Sequence, residues 1–205
     1  DYAEELMPGE INKLPQYYGA QTLIDLASGN IEQFLSVASK MYELLLSKKI
    51  MDPSHYDLSP EDQDMIVSNY CKEHLNGIKQ LNHGNKIYKF LTSLIDFCRE
   101  QTFSMTYSYR TVSGFAVKEE NSLFSVKDGF WFQKAENNDL ANILKDCLAN
   151  NLLCKVPRTQ GKKDQNWTVF YLNEWLCAYA HLPLRRGVWR KLSLSRLNQW
   201  INNIK

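Results

Sequence analysis

The sequence predicts a mainly α-helical fold with a small β component, of the α+β class. Two observations lead to this prediction. Apolar residues recur at intervals of three and four along most of residues 16–100, and this spacing places them on one face of a helix. After Thr102 the pattern changes to alternation within short runs rich in Thr, Tyr, Val and Phe, which is typical of strands.

Residues 1–52 are predicted to form a short helical hairpin after a linker at 1–15. A first helix is expected at 16–27, and the Ser-Gly-Asn sequence at 28–30 ends it. The second helix ends near the two lysines at 48–49, because cations are favourable at a helix C-terminus. Its apolar positions form one periodic set: Ile31, Phe34, Leu35, Ala38, Met41, Tyr42 and Leu45.

A second pair of helices follows. Ser59 and Pro60, followed by two acids, predict a helix start, because serine is a good N-cap and proline is favoured at the first helical position. That helix is expected to continue towards Leu81, and a turn at 82–85 separates it from the next one. The core face of the next helix is predicted to carry Ile87, Phe90, Leu91, Leu94, Ile95 and Cys98.

The β component is predicted from short segments after residue 102. A strand is expected at 115–117, and a hairpin at 122–132 around an Asp-Gly turn. Asn138 is expected to cap a helix, which is followed by a strand at 153–156 and a returning strand at 167–172. The core positions of that helix are predicted to be Leu140, Ile143, Leu144, Cys147, Leu148 and Leu152.

A polar, basic loop at 157–166 joins these last two predicted strands. Helix, strand, charged loop and strand follow in the order expected at the end of a winged helix. Residues 53–205 are therefore predicted to form a winged-helix-like domain with a small β-hairpin. A short helix at 174–180 and a closing helix from near Ser193 would form its C-terminal helical clasp.

The C-terminal region is strongly basic although the whole chain carries a net charge of only +1. Residues 155–205 contain 10 basic and 2 acidic residues. Such a surface suits a nucleic acid or an acidic neighbour in an assembly, and a solvated surface without a specific partner is the remaining alternative. The candidate phosphate-contacting residues are Arg158, Lys162, Lys163, Arg185, Arg186 and Arg190. Asp139 and Asp146 make the preceding helix a weak candidate for reading bases.

Motifs for catalysis are absent from the sequence. It contains no G-x-x-x-x-G-K-S/T, no G-x-S-x-G and no H-E-x-x-H. Cys177 and His181 lie four apart, but a buried thiol beside a helix-end histidine explains them better than a nucleophile pair. We therefore expect no enzymatic activity, no cofactor and no metal in these residues.

The five cysteines contain no C-x-x-C pair, and no apolar run approaches 18 residues, so a cytoplasmic protein without a membrane span is expected.

Two stretches resemble one family. The sequence L-A-S-G-N-I-E-Q-F-L at 26–35 resembles the lid subdomain of AAA+ ATPases, especially the origin-recognition-like branch in bacteria. The stretch from Phe170 to Leu194 is similar to the tail of these large, STAND-like P-loop ATPases, in which a winged-helix-like region follows the lid. The resemblance implies a lid at 1–52. It also implies a nucleotide-sensing arginine, but this chain has Glu32 or Gln33 at that position, and neither side chain supplies a cation.

These observations lead to three hypotheses. The first is a non-catalytic C-terminal module that regulates a larger AAA+/STAND-like ATPase through protein contacts. Its partners would be an upstream ATPase core of the same chain and further copies in a homo-oligomer. The alternative is a winged-helix domain that binds DNA through its basic wing and Arg-rich turn, and the third is an uncharacterised enzyme. Because the acidic start at 1–10 lacks an initiator methionine and a secretory segment, we expect a piece of a longer polypeptide.

Overall fold

A computed structural model of the protein describes residues 14–104, 110–118, 138–156 and 167–202. The helices in these ranges are α1 (Ala20–Ala27), α2 (Ile31–Met51), α3 (Pro60–Gly77), α4 (Gly84–Phe103), α5 (Asn138–Ala149), α6 (Glu174–Tyr179) and α7 (Leu194–Asn202). A 3₁₀ turn at Ile78–Gln80 follows α3. The strands are β1 (Val112–Lys118), β2 (Leu153–Lys155), β3 (Trp167–Leu172) and β4 (Val188–Lys191). The predicted mainly α, α+β fold is confirmed.

The chain divides into two compact units, residues 1–73 and 74–205. In the first unit, a tight turn joins α1 to α2. Ser28 and Gly29 both adopt positive φ, at 50° and 77°, and end α1. The Asn30 side chain then accepts hydrogen bonds from the backbone N–H groups of Glu32 and Gln33, and this cap starts α2. The predicted break at 28–30 is therefore present, with a physical cause at each residue.

The first unit also includes the first part of α3. The Ser59 hydroxyl accepts from the backbone N–H of Asp62, which caps the helix as the sequence predicts. Lys48 of α2 donates to the Asp62 carboxylate, and Lys40 pairs with Glu73 at 2.7 Å. This unit thus extends beyond residue 52. The assignment of 1–52 and 53–205 to lid and winged-helix domains stays a prediction.

Helix α1 begins four residues later than the sequence predicts. The backbone N–H groups of Gln16 and Tyr17 donate to the Asp64 carboxylate at 3.0 and 2.8 Å, and that of Gly19 donates to Gln63 Oε1. These donors belong to the predicted first turn of the helix. Because side chains of α3 satisfy them, residues 16–19 keep a non-helical path.

In the second unit, four strands form one sheet in the order β2-β3-β1-β4. β3 is antiparallel to both β1 and β2, whereas β4 is parallel to β1. The strands at 153–155 and 167–172 agree with the prediction, and β1 is longer than the predicted 115–117. The sequence pattern does not predict β4. The predicted hairpin at 122–132 lies outside the described residues.

Aromatic rings join one face of this sheet to α4 and α7. Phe115 and Phe170 stack with their ring centroids 5.1 Å apart, and Phe90 of α4 meets Phe115 edge-on at 6.2 Å. Trp200 of α7 lies 5.7 Å from the ring of Phe97. Phe90, Phe115 and Phe170 are all fully buried. This face of the sheet is therefore the core of the second unit.

Two polar contacts connect α4 to α5. Lys86 donates to Asp139 at 2.6 Å, and His83 Nδ1 lies 3.1 Å from an Asp146 carboxylate oxygen. The Lys86 ammonium lowers the pKa of the Asp139 carboxyl. Asp139 and Asp146 of α5 therefore each have a polar partner at the start of α4.

Candidate functional site

A cleft of about 500 Å³ lies at the β4 edge of the described sheet. Three elements contribute to it. The end of α4 provides Phe97 and Gln101, β4 provides Trp189, Arg190 and Lys191, and the first turn of α7 provides Arg196. We call these six residues the β4 cleft. Three of the six are cations and none is an acid.

The register of β4 against β1 decides which face of the sheet each β4 side chain joins. Trp189 pairs with Gly114 and Lys191 with Ala116, whereas Arg190 pairs with Phe115. Because neighbouring residues of a strand point to opposite faces, Trp189 and Lys191 share one face and Arg190 lies on the other. The cleft therefore reaches around the edge of the sheet and collects cations from both faces.

Glycine is required where the chain enters β4. A Cβ on Gly187 would lie 2.1 Å from the carbonyl oxygen of Thr111, which is far inside van der Waals contact. The Gly187 N–H donates to the Ser113 hydroxyl at 2.9 Å, and the Val188 N–H donates to the Thr111 carbonyl. Ser113 is the bulged residue of β1. This close approach fixes the start of β4 and, with it, the position of the three cleft residues that follow.

Aromatic rings support two of the cations. The Lys191 ammonium lies 4.8 Å above the Trp167 ring, and Trp167 packs against Trp189 at 6.2 Å. The Arg196 guanidinium lies 4.9 Å from the centre of the Phe97 ring and 5.5 Å from that of Trp200. These are cation–π distances. Such contacts orient a cation without neutralising its charge, so both groups keep their full attraction for an anion.

The structure separates the arginines that the sequence singled out. Arg185 and Arg186 lie on an exposed bend before β4, and Arg190 is half-buried in the β4 cleft. Arg186 hydrogen-bonds the Cys154 thiol, which opposes the rise that burial causes in the pKa of that thiol. Arg158, Lys162 and Lys163 lie outside the described residues.

Five of the six cleft residues are not among the residues that sequence reasoning selected, and three of the five, Gln101, Lys191 and Arg196, are polar or charged. Lys191 follows the selected Arg190 directly in the sequence and carries the same charge. Arg196 lies on the polar face of the amphipathic α7, where solvated charges are ordinary. Gln101 lies ninety residues away and carries no charge. Only the tertiary fold brings Gln101 to this site.

Glu32 and Gln33, the two residues that the family resemblance relates to a nucleotide-sensing arginine, differ in burial. Glu32 is exposed, whereas Gln33 is only 6% exposed. The Gln33 Oε1 atom is buried and has no hydrogen-bond partner among the described residues. A buried acceptor of this kind costs free energy. Neither residue supplies a positive charge to a nucleotide.

The cysteines show the properties of buried structural thiols. Burial raises the pKa of Cys71 and Cys98 to about 12, and it also raises the pKa of Cys147 and Cys177. Cys177 is 3% exposed and directs its Sγ towards the Leu172 carbonyl at 4.0 Å. These properties oppose formation of a nucleophilic thiolate.

Within the described ranges, no three His, Cys, Asp or Glu side chains are grouped closely enough to hold a metal ion.

Comparison with known proteins relates most of the chain to one family. A family model described as ORC-CDC6-like matches residues 1–194. Neither a curated protein nor a solved structure matches the chain. No helix in the described part is long and apolar enough to span a lipid bilayer.

Proposed function

The chain belongs to the ORC-CDC6-like family, which is related to the AAA+ ATPases, and on this premise we propose that it is a non-catalytic regulatory module that binds an AAA+/STAND-like ATPase core. The regulation would operate through protein contacts. A cation for the nucleotide is missing at Glu32 and Gln33, so direct sensing of the nucleotide through this helix is not part of the proposal.

The observation that carries this proposal is an exposed apolar stripe on α2. Its residues are between 41% and 81% exposed: Ile31, Leu35, Tyr42, Leu46 and Ile50. They are spaced by four, seven, four and four residues, so they follow one another along one side of the helix. The opposite side of α2 carries the buried Gln33, Val37 and Met41. An apolar strip of this length on a surface helix is characteristic of a protein interface.

The test is a binding measurement with the ATPase core of the natural polypeptide. The core and this chain are expressed separately and titrated by calorimetry. Leu35→Glu is expected to weaken binding by about tenfold, because a carboxylate would be desolvated in an apolar interface. Ser47→Glu, which adds the same charge at an exposed site on another side of α2, is expected to leave the affinity unchanged.

Two results would contradict the proposal. One is the finding that the natural polypeptide has no G-x-x-x-x-G-K-S/T motif before these residues. The other is equal binding by the Leu35→Glu and Ser47→Glu variants. Because residue 35 is exposed in the described structure, loss of folding is not an expected consequence of either substitution, and circular dichroism verifies this directly.

A second candidate function is DNA binding by a winged helix, and the strand order of the sheet favours it. In a winged helix, a helix is followed by two antiparallel strands that flank the wing, and an earlier strand completes the sheet. The order β2-β3-β1, with α5 immediately before β2, agrees with this arrangement. The segment between β2 and β3 is the basic stretch at 157–166. The objection from the acids of α5 is weaker at Asp139, because the Lys86 ammonium pairs with that carboxylate.

The salt dependence of duplex binding tests this candidate. If the wing contacts phosphates, the logarithm of the affinity falls linearly with the logarithm of the salt concentration. Replacing Lys162 and Lys163 together by alanine is expected to reduce the slope by about 1 to 2. Absence of binding at about 50 mM salt would exclude DNA as a ligand of this chain.

A further inference from the structure

The sheet carries a second apolar cluster on the face that is turned away from Phe115 and Phe170. We call this side the outer face. The centre of its cluster consists of Ala116, Val169 and Tyr171, which are 0%, 0% and 8% exposed. Alternation along β1 and β3 places these three residues opposite the core-facing phenylalanines. A sheet face that meets only water carries polar residues at such positions, so the apolar residues indicate a contact surface.

Two large rings lie over the small centre of the outer face. Trp167 and Trp189 are both packed on the cluster, and their ring centroids are 6.2 Å apart. Trp189 pairs with Gly114, and Trp167 pairs with the other end of β1, so they lie diagonally on either side of Ala116. Because glycine and alanine have little or no side chain, β1 leaves room for the two indoles to approach each other.

The paired indoles suit a ligand with planar rings. Trp167 and Trp189 both stay partly exposed although they pack on the cluster. Aromatic side chains of this kind are stacking platforms for nucleobases, because every base has a π-face. Some proteins that bind single strands use aromatic residues on the face of a four-stranded sheet in this way.

The charge of the strands selects an anionic ligand. The four described strands contain no aspartate or glutamate. Lys191 pairs with Ala116 and therefore lies on the outer face, where its ammonium is 4.8 Å from the centre of the Trp167 ring. This contact holds the ammonium beside the ring without neutralising it. A phosphate bound by Lys191 would thus place its base next to the indoles.

Arg186 contributes less to this charge. It hydrogen-bonds the thiol of Cys154, and Cys154 pairs with Tyr171 on the same face. Burial, and then the Glu174 carboxylate, raise the pKa of this thiol, whereas Arg186 lowers it. The Cys154 side of the outer face therefore experiences charges of both signs, and Lys191 is the better candidate for a phosphate contact.

A single strand suits the outer face better than a duplex does. In a duplex, each base is stacked between its neighbours, so its π-face is not available to a protein ring. Unpaired bases can be splayed out and stacked on aromatic side chains. A protein partner would use the apolar rings, but it would not account for strands that carry cations without acids.

We propose that the outer face binds single-stranded nucleic acid, with bases stacked on Trp167 and Trp189 and a phosphate on Lys191. This site goes beyond both functions proposed above, because it uses neither the α2 stripe nor the segment at 157–166. DNA and RNA offer the same stacking surface and the same phosphate, so the experiment contains one strand of each.

The experiment measures the fluorescence anisotropy of three end-labelled octamers: oligodeoxyuridine, oligouridine and an abasic deoxyribose–phosphate strand of equal charge. At least one uridine strand is expected to bind about tenfold more tightly than the abasic strand, because only the uridine strands place rings on the tryptophans. Tighter binding of oligouridine identifies RNA as the ligand, and tighter binding of oligodeoxyuridine identifies DNA. Equal affinity for all three strands, or no binding by either uridine strand, overturns the proposal.

A variant of Trp167 tests the stacking. Trp167→Leu is expected to weaken binding of the preferred uridine strand by about tenfold and to leave the affinity for the abasic strand unchanged. Tyr56→Leu is the matched control, because it removes a ring that is 78% exposed in the first unit. No loss of affinity in Trp167→Leu, or an equal loss in Tyr56→Leu, contradicts the assignment of the site.

A variant of Lys191 tests the phosphate contact. Lys191→Ala is expected to weaken binding of both kinds of strand and to reduce the slope of log affinity against log salt by about 0.7, the contribution of one phosphate in a single strand. Because Lys191 is exposed, this test holds even if Trp167→Leu disturbs the packing on Ala116. Lys89→Ala removes an exposed cation of α4 and is the control. An unchanged slope in Lys191→Ala overturns the role of this lysine.

Two other sources of binding give different results. With Lys162→Ala and Lys163→Ala together, the preference for the uridine strand over the abasic strand is expected to stay within about twofold of its native value. Failure of the wing proposal and failure of the outer-face proposal are therefore distinguishable. If the outer face instead joins two copies of the chain, light scattering would show a dimer that Trp167→Leu dissociates without any change in uridine-strand affinity, and this result would overturn the proposal.

Discussion

At the residue scale, Gln33 departs from a core in which buried polar atoms are hydrogen-bonded. It lies at the start of α2, where its backbone N–H is capped by Asn30, yet its Oε1 atom is buried without a partner among the described residues. Glutamine at this position is therefore explained neither by packing nor by capping. The resemblance to the AAA+ lid connects this position with nucleotide sensing. The Gln33 amide, however, supplies no positive charge for a nucleotide.

Replacing this amide is expected to stabilise the protein. Gln33→Met keeps the length of the side chain and removes the buried acceptor, so the free energy of unfolding is expected to rise by about 1 kcal/mol. Urea denaturation followed by circular dichroism measures it. A lower urea midpoint for Gln33→Met would contradict this prediction, because it would show that the Gln33 Oε1 atom has a hydrogen-bond partner in the folded protein.

The thiols give a second prediction at this scale. Cys154 is half-buried, whereas Cys71, Cys98, Cys147 and Cys177 are buried. At pH 8 one thiol is expected to react with a colorimetric disulfide reagent well before the others, and Cys154→Ser is expected to remove this fast phase. Reaction of two or more thiols in the fast phase would contradict the packing described for the buried four.

At the scale of elements, the starts of α2 and α3 are determined locally, whereas strand β4 is not. Ser59 and Asn30 cap their helices through side chains within three residues, which is why the sequence predicts both starts. β4 has four residues and pairs in parallel with β1, more than seventy positions earlier. So short a segment contains no periodic pattern, and its strand conformation depends on the partner.

The start of α3 is expected to make stability depend on pH. A hydrogen bond from Lys48 is the main cause that lowers the pKa of Asp62 below its usual value, and burial opposes it. A carboxyl with a lowered folded pKa contributes stability above its unfolded pKa of about 3.9 and loses it as the pH falls through the folded value. Asp62→Asn is therefore expected to lower the melting temperature at pH 7.

The difference in melting temperature between the native protein and Asp62→Asn shows whether the ion pair with Lys48 is the cause. This difference is expected to shrink as the pH falls below about 4, because protonated Asp62 no longer attracts Lys48. Thermal unfolding at several pH values measures this difference. A difference that stays constant with pH would show that capping by Ser59, rather than the ion pair, accounts for the effect.

At the scale of the whole molecule, charge is distributed unevenly. The chain has a net charge of +1 and a pI near 7.8, yet residues 155–205 contain 10 basic and 2 acidic residues. The β4 cleft concentrates three of these cations. Binding of a polyanion therefore depends on a local field rather than on the net charge.

This local field predicts retention on a heparin column above the pI. At pH 8.5 the net charge is no longer positive, but the arginines and lysines keep their charge. The protein is expected to be retained, and Lys191→Glu with Arg196→Glu is expected to elute at a markedly lower salt concentration. Passage through the column without retention at low salt would show that the net charge dominates instead.

The candidate site shows how far sequence reasoning reaches. Of the cleft residues, only Arg190 was selected from the sequence as a binding residue. Charge alone did not identify Lys191 and Arg196 as binding residues, because exposed lysines and arginines are common on helix and strand surfaces. Gln101 carries no charge and lies on another element. Its role depends entirely on the packing of α4 against the sheet.

The sequence by itself determined the mainly α-helical class, the Ser-Gly-Asn break before α2, the capped start of α3 and the run of helix, strand, basic segment and strand that ends at Leu172. These features depend on interactions between residues a few positions apart. Such interactions are visible in the sequence as apolar periodicity and as capping residues. Tertiary structure alone decided the late start of α1, the existence of β4 and the assembly of the β4 cleft. Each of these depends on a partner far along the chain: Asp64 for α1, Thr111 for the entry to β4, and Phe97 with Gln101 for the cleft.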